Sequence, residues 1–164
     1  MKNFKEYFKQ NWFYYLLLAL FILLDQITKL IFEGKTIPVI SGVFSFTSSH
    51  NDGAGFGILG GKVWLLILIS IAFLAFILVF NHFQKHKTKL YNWSIALIIA
   101  GALGNLIDRI FLGYVRDFLY FELINFPIFN VADSLLTIGI ILLCIFLIFI
   151  EPKLAKKDSN NQSQ

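Results

Sequence analysis

Charge is scarce in this chain, and so are the residues on which most soluble catalysis depends. Of 164 residues only 15% are Asp, Glu, Lys or Arg, and cysteine occurs once, at Cys144. A single thiol excludes an internal disulfide and any cysteine-based metal cluster, and its place inside an apolar run suits a small packing residue. Of the three histidines, His50, His82 and His86, none forms an HExxH or HxxH pair, so no zinc site is expected. The glycine-rich stretch Asn51-Asp52-Gly53-Ala54-Gly55-Phe56-Gly57 lacks the Lys-Ser/Thr of a phosphate loop. Lysines precede the first apolar run, but DQITK follows it and no small-x-small cleavage site does, so that run is expected to be retained as a span.

What is abundant is apolar surface. The chain is 57% hydrophobic with 19 Phe, 6 Tyr and 3 Trp, and its mean hydropathy is +0.72. A soluble domain is nearer a quarter charged, so this balance points to a membrane protein. The formal charge of +4 comes from short basic clusters flanking apolar runs, which sets membrane orientation and argues against a nucleic-acid partner.

A helix crossing the bilayer needs roughly 20 apolar residues, and four segments qualify, at about 12–32, 63–80, 91–112 and 131–150. Lys2, Lys5 and Lys9, then Lys85, Lys87 and Lys89, then Lys153, Lys156 and Lys157 make up nine of the 14 basic residues. Four crossings put all three groups on one side, and an excess of lysine marks it as cytoplasmic. Both termini are therefore expected in the cytoplasm, with residues 33–62 and 113–130 facing outward. Residues 1–155 are expected to form one membrane-embedded domain, and 156–164 a polar disordered tail.

The outward segments carry a different pattern. Ile37 to Ile40 and Val43 to Thr47 are β-branched and aromatic, partly alternating, and punctuated by Pro38 and Gly42, which predicts short strands at the membrane surface. The loop from Asn51 and Gly53 is expected to offer backbone groups to a bound partner.

Polar residues gather at the outward ends of the spans, where lipid makes them costly and function is the default explanation. Asp25 and Lys29 are four apart on one helix face, the spacing of an ion pair, and are expected to support the structure. Asn105 and Arg109 are also four apart, beside Gly101 and Gly104, which allow close helix approach. Scaffolding and ligand contact both fit those two, whereas Asp108 fits a structural partner. Asn130 suits a helix N-cap, and Asp133 partly suits an acid in a first turn. Neither explanation covers Asp117, which precedes Phe118-Leu119-Tyr120-Phe121 in a stretch that reads as a strand. Two carboxylates in a poorly solvated site share one proton. Such a pair can draw a proton from an attacking water and pass one to a leaving amine, with no metal or cofactor.

Five motifs in order then resemble one family. They are Asp25-Gln26-Ile27-Thr28-Lys29, Asn51-x-Gly53-Ala54-x-Phe56, Gly101-Ala102-Leu103-Gly104-Asn105-Leu106-Ile107-Asp108-Arg109, Val115-Arg116-Asp117-Phe118 and Phe129-Asn130-Val131-Ala132-Asp133-Ser134. The resemblance is to the bacterial prolipoprotein signal peptidases, also known as signal peptidase II, and it covers nearly the whole chain. It implies four transmembrane helices with a small extracytoplasmic β-cradle, and an aspartyl endopeptidase of the bacterial cytoplasmic membrane. It further implies diacylglyceryl-modified prolipoprotein substrates, cut just before the lipidated cysteine at the outer face. Asp117 and Asp133 match the family's catalytic pair. Asn51, Asn105, Arg109 and Asn130 match positions lining the site for substrate and for the cyclic peptide globomycin, with Gly53 beside them. Asp25 and Lys29 match supporting positions. Gly55 stands where many members have Ala, and Arg116 where an apolar residue is common. An extended backbone would turn Arg116 to the face opposite Asp117.

A proton-coupled carrier is the competing class, since intramembrane acids also mark ion pathways. The polar groups sit at one end of the spans, not at the midplane, and no inverted repeat with broken helices is visible. A purely structural membrane protein leaves Asp117 and Asp133 without a purpose.

Overall fold

A computed structural model describes residues 4–54, 58–124 and 126–162. Gly55, Phe56 and Gly57 of the glycine-rich loop lie outside the described residues, as do Lys2 and the last two positions of the tail.

Four helices are long and apolar enough to cross a membrane, and the chain is a multi-pass membrane protein. The first, α1, spans Phe4–Phe32, and its 29 residues exceed the roughly 20 that span the hydrocarbon core. The second, α2, is Val63–Phe83, and the third, α3, is Lys89–Leu112. The fourth, α4, is Val131–Ile145; a π-helical turn, Phe146–Ile150, joins it to α5, Glu151–Gln162. The expected spans are therefore present, with α2 running three residues further and α3 starting two earlier.

The bundle is built around α3. About 61% of its most apolar window is buried, against 11% and 17% for the others, whose large apolar side chains face outward as lipid-facing surfaces do. Glycine makes the tightest crossing possible. A Cβ on Gly139 would stand 2.9 Å from the Ser94 carbonyl oxygen, and one on Gly101 would collide with the backbone of Ala132 and Leu136. These glycines let α3 and α4 approach backbone to backbone. At its start α3 is capped by Thr88, whose hydroxyl accepts from the Tyr91 N–H. It stops at Gly113, whose φ of 80° no β-carbon residue adopts cheaply.

Three antiparallel strands close the end of the bundle opposite the α2–α3 loop. They are β1, Thr36–Ile40, β2, Phe44–Asn51, and β3, Val115–Phe121, in the order β1-β2-β3. The register sets Ser49 opposite Asp117 and His50 opposite Arg116, after a bulge between Phe46 and Ser49. Phe32 at the end of α1 stacks on Phe46 and Phe118, with ring centroids 4.1 and 4.9 Å apart. That stack seats the sheet on α1 through the face carrying Phe118, which leaves Asp117 on the other face. The far edge of β3 is covered by Phe129, which exchanges backbone hydrogen bonds with Leu119 at 2.8 and 3.0 Å. The next residue, Asn130, is the N-cap of α4.

One expectation differs from the structure. The tail reads as polar and disordered in sequence, yet α5 runs through Gln162. Composition alone missed its anchors. His86 bonds Glu151 and Asp158 at 2.9 and 3.0 Å, Gln84 donates to Glu151, and Leu154 packs on the cluster of Ile77, Tyr91, Ile95, Ile98 and Phe146.

Candidate active site

Helix α4 starts with the N–H groups of Asn130, Ala132 and Asp133 each bound to a side chain. Asn130 is the N-cap and its Oδ1 accepts from the Asp133 N–H at 2.9 Å, while Asp133 Oδ2 accepts from the Asn130 N–H at 3.2 Å. The N-cap is the role expected for Asn130, and this reciprocal capping box gives Asp133 a bond beyond the first-turn acid expected of it. The Ala132 N–H donates to Asp25 Oδ1 of α1 at 2.8 Å, so a distant carboxylate completes the cap.

The same residues also bind each other's side chains. Asn105 Nδ2 donates to Asp133 Oδ1 at 2.7 Å, and Asn130 Nδ2 donates to Asp117 Oδ1 at 2.6 Å. Asn130 Nδ2 also reaches Asn105 Oδ1 at 3.0 Å, linking the two amides that hold the two acids. Asn51, at the end of β2, donates through Nδ2 to Asp117 Oδ2 at 2.9 Å. Asp117 thus takes an amide on each oxygen. It is 3% exposed. Burial, and then the charge of Asp133, push its carboxyl up to about 7, against the amide donors Asn51 and Asn130.

Beneath the pair lies a buried ionic layer. Lys29 Nζ is 2.9 Å from Asp25 and 3.5 Å from Asp108, with all three side chains fully enclosed. It also donates to Asn105 Oδ1 at 3.0 Å, which leaves the Asn105 amide nitrogen turned toward Asp133. Gly104 is what admits this layer, because a Cβ there would stand 2.6 Å from Asp25.

Arg109 Nη2 donates to the Gly53 carbonyl at 3.3 Å, and the Gly53 N–H donates to Asn51 Oδ1 at 3.0 Å. The described part of the glycine loop is therefore tied to α3. Arg109 feels the charges of both Asp133 and Asp117, and its Nε is buried with no hydrogen-bond partner among the described residues. A cavity of about 500 Å³ opens beside Asp117, with Asn51, Ala54, Tyr120, Phe126 and Ile128 among its walls.

The structure accordingly brings Asn51, Asn105 and Asn130 onto the two aspartates and Arg109 with Gly53 beside them. Asp25 and Lys29 stand one residue behind. Asp108 does not reach either member of the pair; it faces Lys29 and Arg116. His82 and His86 lie at the opposite end of the bundle. His50 stacks on Tyr114 with centroids 4.0 Å apart, on the rim of the cavity. Gln26 was missed as a participant. Its Nε2 donates to the Gly104 carbonyl and its Oε1 accepts from Arg116. Its position beside Asp25 in an apolar span was the available signal. Arg116 itself leaves β3 on the face away from Asp117.

A family model described as signal peptidase (SPase) II matches residues 17–149. A lipoprotein signal peptidase of Microcystis aeruginosa is 44% identical over 148 residues, covering 84% of this chain and 93% of that protein. One of Lactobacillus johnsonii is 44% identical over 147 residues, covering 85% and 94%. Among solved structures, a bacterial membrane enzyme determined in meso at 2.3 Å superposes with a TM-score of 0.74 at 37% identity, covering 90% of each chain. A second, at 1.9 Å, has a TM-score of 0.74 at 38% identity and covers 84% of this chain and 93% of that one.

Proposed function

The chain belongs to the signal peptidase II family of aspartyl peptidases, and on that premise we propose that it removes signal peptides from prolipoproteins. The substrate cysteine carries diacylglyceryl, and the bond cut is the one just before it. What carries this reading is the aspartate pair, held by Asn105 and Asn130 at the mouth of a cavity beside the bundle's polar end.

The chemistry follows from one proton shared between Asp117 and Asp133. Two acids this close to one another ionise in steps that belong to the pair. The ionised carboxylate takes a proton from water as the water oxygen attacks the scissile carbonyl carbon. The protonated partner gives its proton to the carbonyl oxygen as negative charge gathers on it, which leaves a neutral tetrahedral diol and one proton on the pair. As the diol collapses the C–N bond breaks, the carboxyl that took the water proton gives it to the departing amine, its partner takes a proton back from a diol hydroxyl, and the pair again shares one proton. The products are a signal peptide with a new carboxylate and a lipidated cysteine with a free amine. Asn51, Asn105 and Asn130 hold the two acids in register. Arg109, with a donor to spare, and the Gly53 loop bind substrate backbone. Globomycin occupies the same positions, and membrane lipid surrounds the substrate's acyl chains. No cofactor enters these steps.

Residues 1–155 act as one membrane-embedded domain, with both termini in the bacterial cytoplasm and the pair at the extracytoplasmic face, as the lysine distribution supports. Purified protein with a lipid-modified prolipoprotein tests the chemistry. Asp117→Asn or Asp133→Asn should lower cleavage on the order of 10³-fold, and undiminished cleavage by either would end the dyad reading. A cysteine introduced at position 87 should label only from the cytoplasmic side.

A further inference from the structure

Arg116 sits next to Asp117 on β3 and takes no part in the steps above. Its side chain nevertheless is buried, with 8% of the residue exposed. Nη2 donates to Asp108 Oδ1 at 2.8 Å, Nε donates to Oδ2 at 3.2 Å, and its own backbone N–H donates to Oδ2 at 3.0 Å. Nη2 also reaches Gln26 Oε1 at 2.9 Å, and Nη1 lies 3.6 Å from Glu33. This two-pronged grip fixes one orientation, which a lysine ammonium cannot reproduce.

Asp108 has a second cation within reach, because Lys29 Nζ is 3.5 Å from it. Lys29 in turn donates to Asn105 Oδ1, the contact that turns the Asn105 amide toward Asp133. While Arg116 occupies Asp108, Lys29 remains on Asn105. Without it, a fully buried carboxylate has Lys29 as its remaining cation and draws it away. There is also a direct route. The Arg116 carbonyl accepts from Asn130 Nδ2 at 3.4 Å, the same nitrogen that holds Asp117.

We propose that Arg116 is a positioning residue for the aspartate pair: by saturating Asp108 it keeps Lys29 on Asn105, and through its backbone it steadies Asn130. The proposal rests on the dyad reading. It has an electrostatic side as well. Lys29 and Arg116 balance Asp25 and Asp108, so the buried layer is neutral. The other charged or titratable groups around the pair are Glu33 just after α1, Arg109 of α3, His50 of β2 and Asp52 of the loop after it, Tyr114 just before β3 and Tyr120 on it. Arg116→Met leaves the layer with a net negative charge and opposes ionisation of the pair. Asp108→Asn in the same chain restores neutrality.

The test uses full-length protein in lipid vesicles with a lipid-modified prolipoprotein peptide, assayed across pH. In parallel, the Asp117 carboxyl is titrated by difference infrared spectroscopy against Asp117→Asn. Arg116→Met should lower kcat about tenfold or more with KM within about twofold, as misplacement of reacting groups does. Its alkaline limb and the Asp117 band should move together to higher pH by roughly half a unit or more. Arg116→Lys should return the limb and band toward wild type without restoring kcat. The double variant Arg116→Met/Asp108→Asn should also bring the band back, and Asp108→Asn alone should move it to lower pH. Wild-type kcat and an unmoved limb in folded Arg116→Met would overturn the proposal. So would a double variant whose band stays displaced. If Arg116→Met does not fold, an unmoved band in Asp108→Asn overturns it equally. Cleavage surviving Asp117→Asn is a separate result, which defeats the dyad, since the infrared titration reads the effect of Arg116 without any cleavage.

Discussion

At the end of the bundle carrying the sheet, Asp25, Lys29 and Asp108 form ion pairs whose side chains have no exposed surface. At the opposite end Lys85, His86, Glu151 and Asp158 also form ion pairs, but Lys85 and Asp158 are 67% and 39% exposed. Both groups tie separate segments together. The first joins α1, α3 and β3 and reaches α4 through the Asp25 cap, while the second only fastens the α2–α3 loop to α5. Away from water each buried charge must be matched by a partner, and the match dictates where neighbouring amides point. Water satisfies the exposed charges whether or not they pair, so that cluster holds position without imposing geometry. Only the buried set can orient Asp117 and Asp133.

Removing one partner from each end should therefore have very unequal effects. Lys29→Met strands Asp25 and Asp108, and thermal unfolding in detergent should show a loss of about 3–5 kcal/mol. Cleavage should fall with it, because Asn105 loses the contact that orients it.

A smaller effect separates the ends by pH. Asp117 is raised from 3.8 to about 7, so the folded protein holds that proton more tightly than the unfolded chain. The stability this contributes is complete below 3.8 and is lost as pH rises to about 7. Unfolding measured across that window should grow easier with pH, and Asp117→Asn should flatten the slope. Activity should decline on the alkaline side of about 7 as the shared proton is lost. A profile with no alkaline limb near that pH would remove Asp117 as the proton holder. His86 is raised from 6.5 by its hydrogen bonds to Glu151 and Asp158. Its contribution is present below 6.5 and fades as pH rises through the raised value.

The smallest change should come from His86→Ala, which should leave cleavage within about twofold and the melting temperature little moved, as ion pairs that water still reaches contribute little. A large loss of activity there would show that the far end of the bundle reaches the site.

Much of the site was readable before the fold was known. Asp25 and Lys29 pair at the spacing that suggested it, Asn130 caps α4, and Asn51, Asn105 and Asn130 meet the two acids. The pair rests on helical spacing, the cap on cap chemistry, and the gathering of Asn105 and Asn130 on the cost of polarity in lipid, whereas Asn51 was joined to the site only by the family resemblance. The partners of Arg116 were not readable. Extended geometry turns it from Asp117, but nothing local says that Asp108, eight residues earlier on another element, receives it. Asp25 capping a helix 107 positions away belongs to the same class.

By itself, then, the sequence determined four membrane spans, three surface strands and which end carries the polar residues, because hydropathy and side-chain alternation act over a few turns of chain. Tertiary structure alone decided which carboxylate each cation serves, how the asparagine amides are turned, and that the tail is helical. Those outcomes depend on which groups share a volume without water, and packing between distant segments creates that volume.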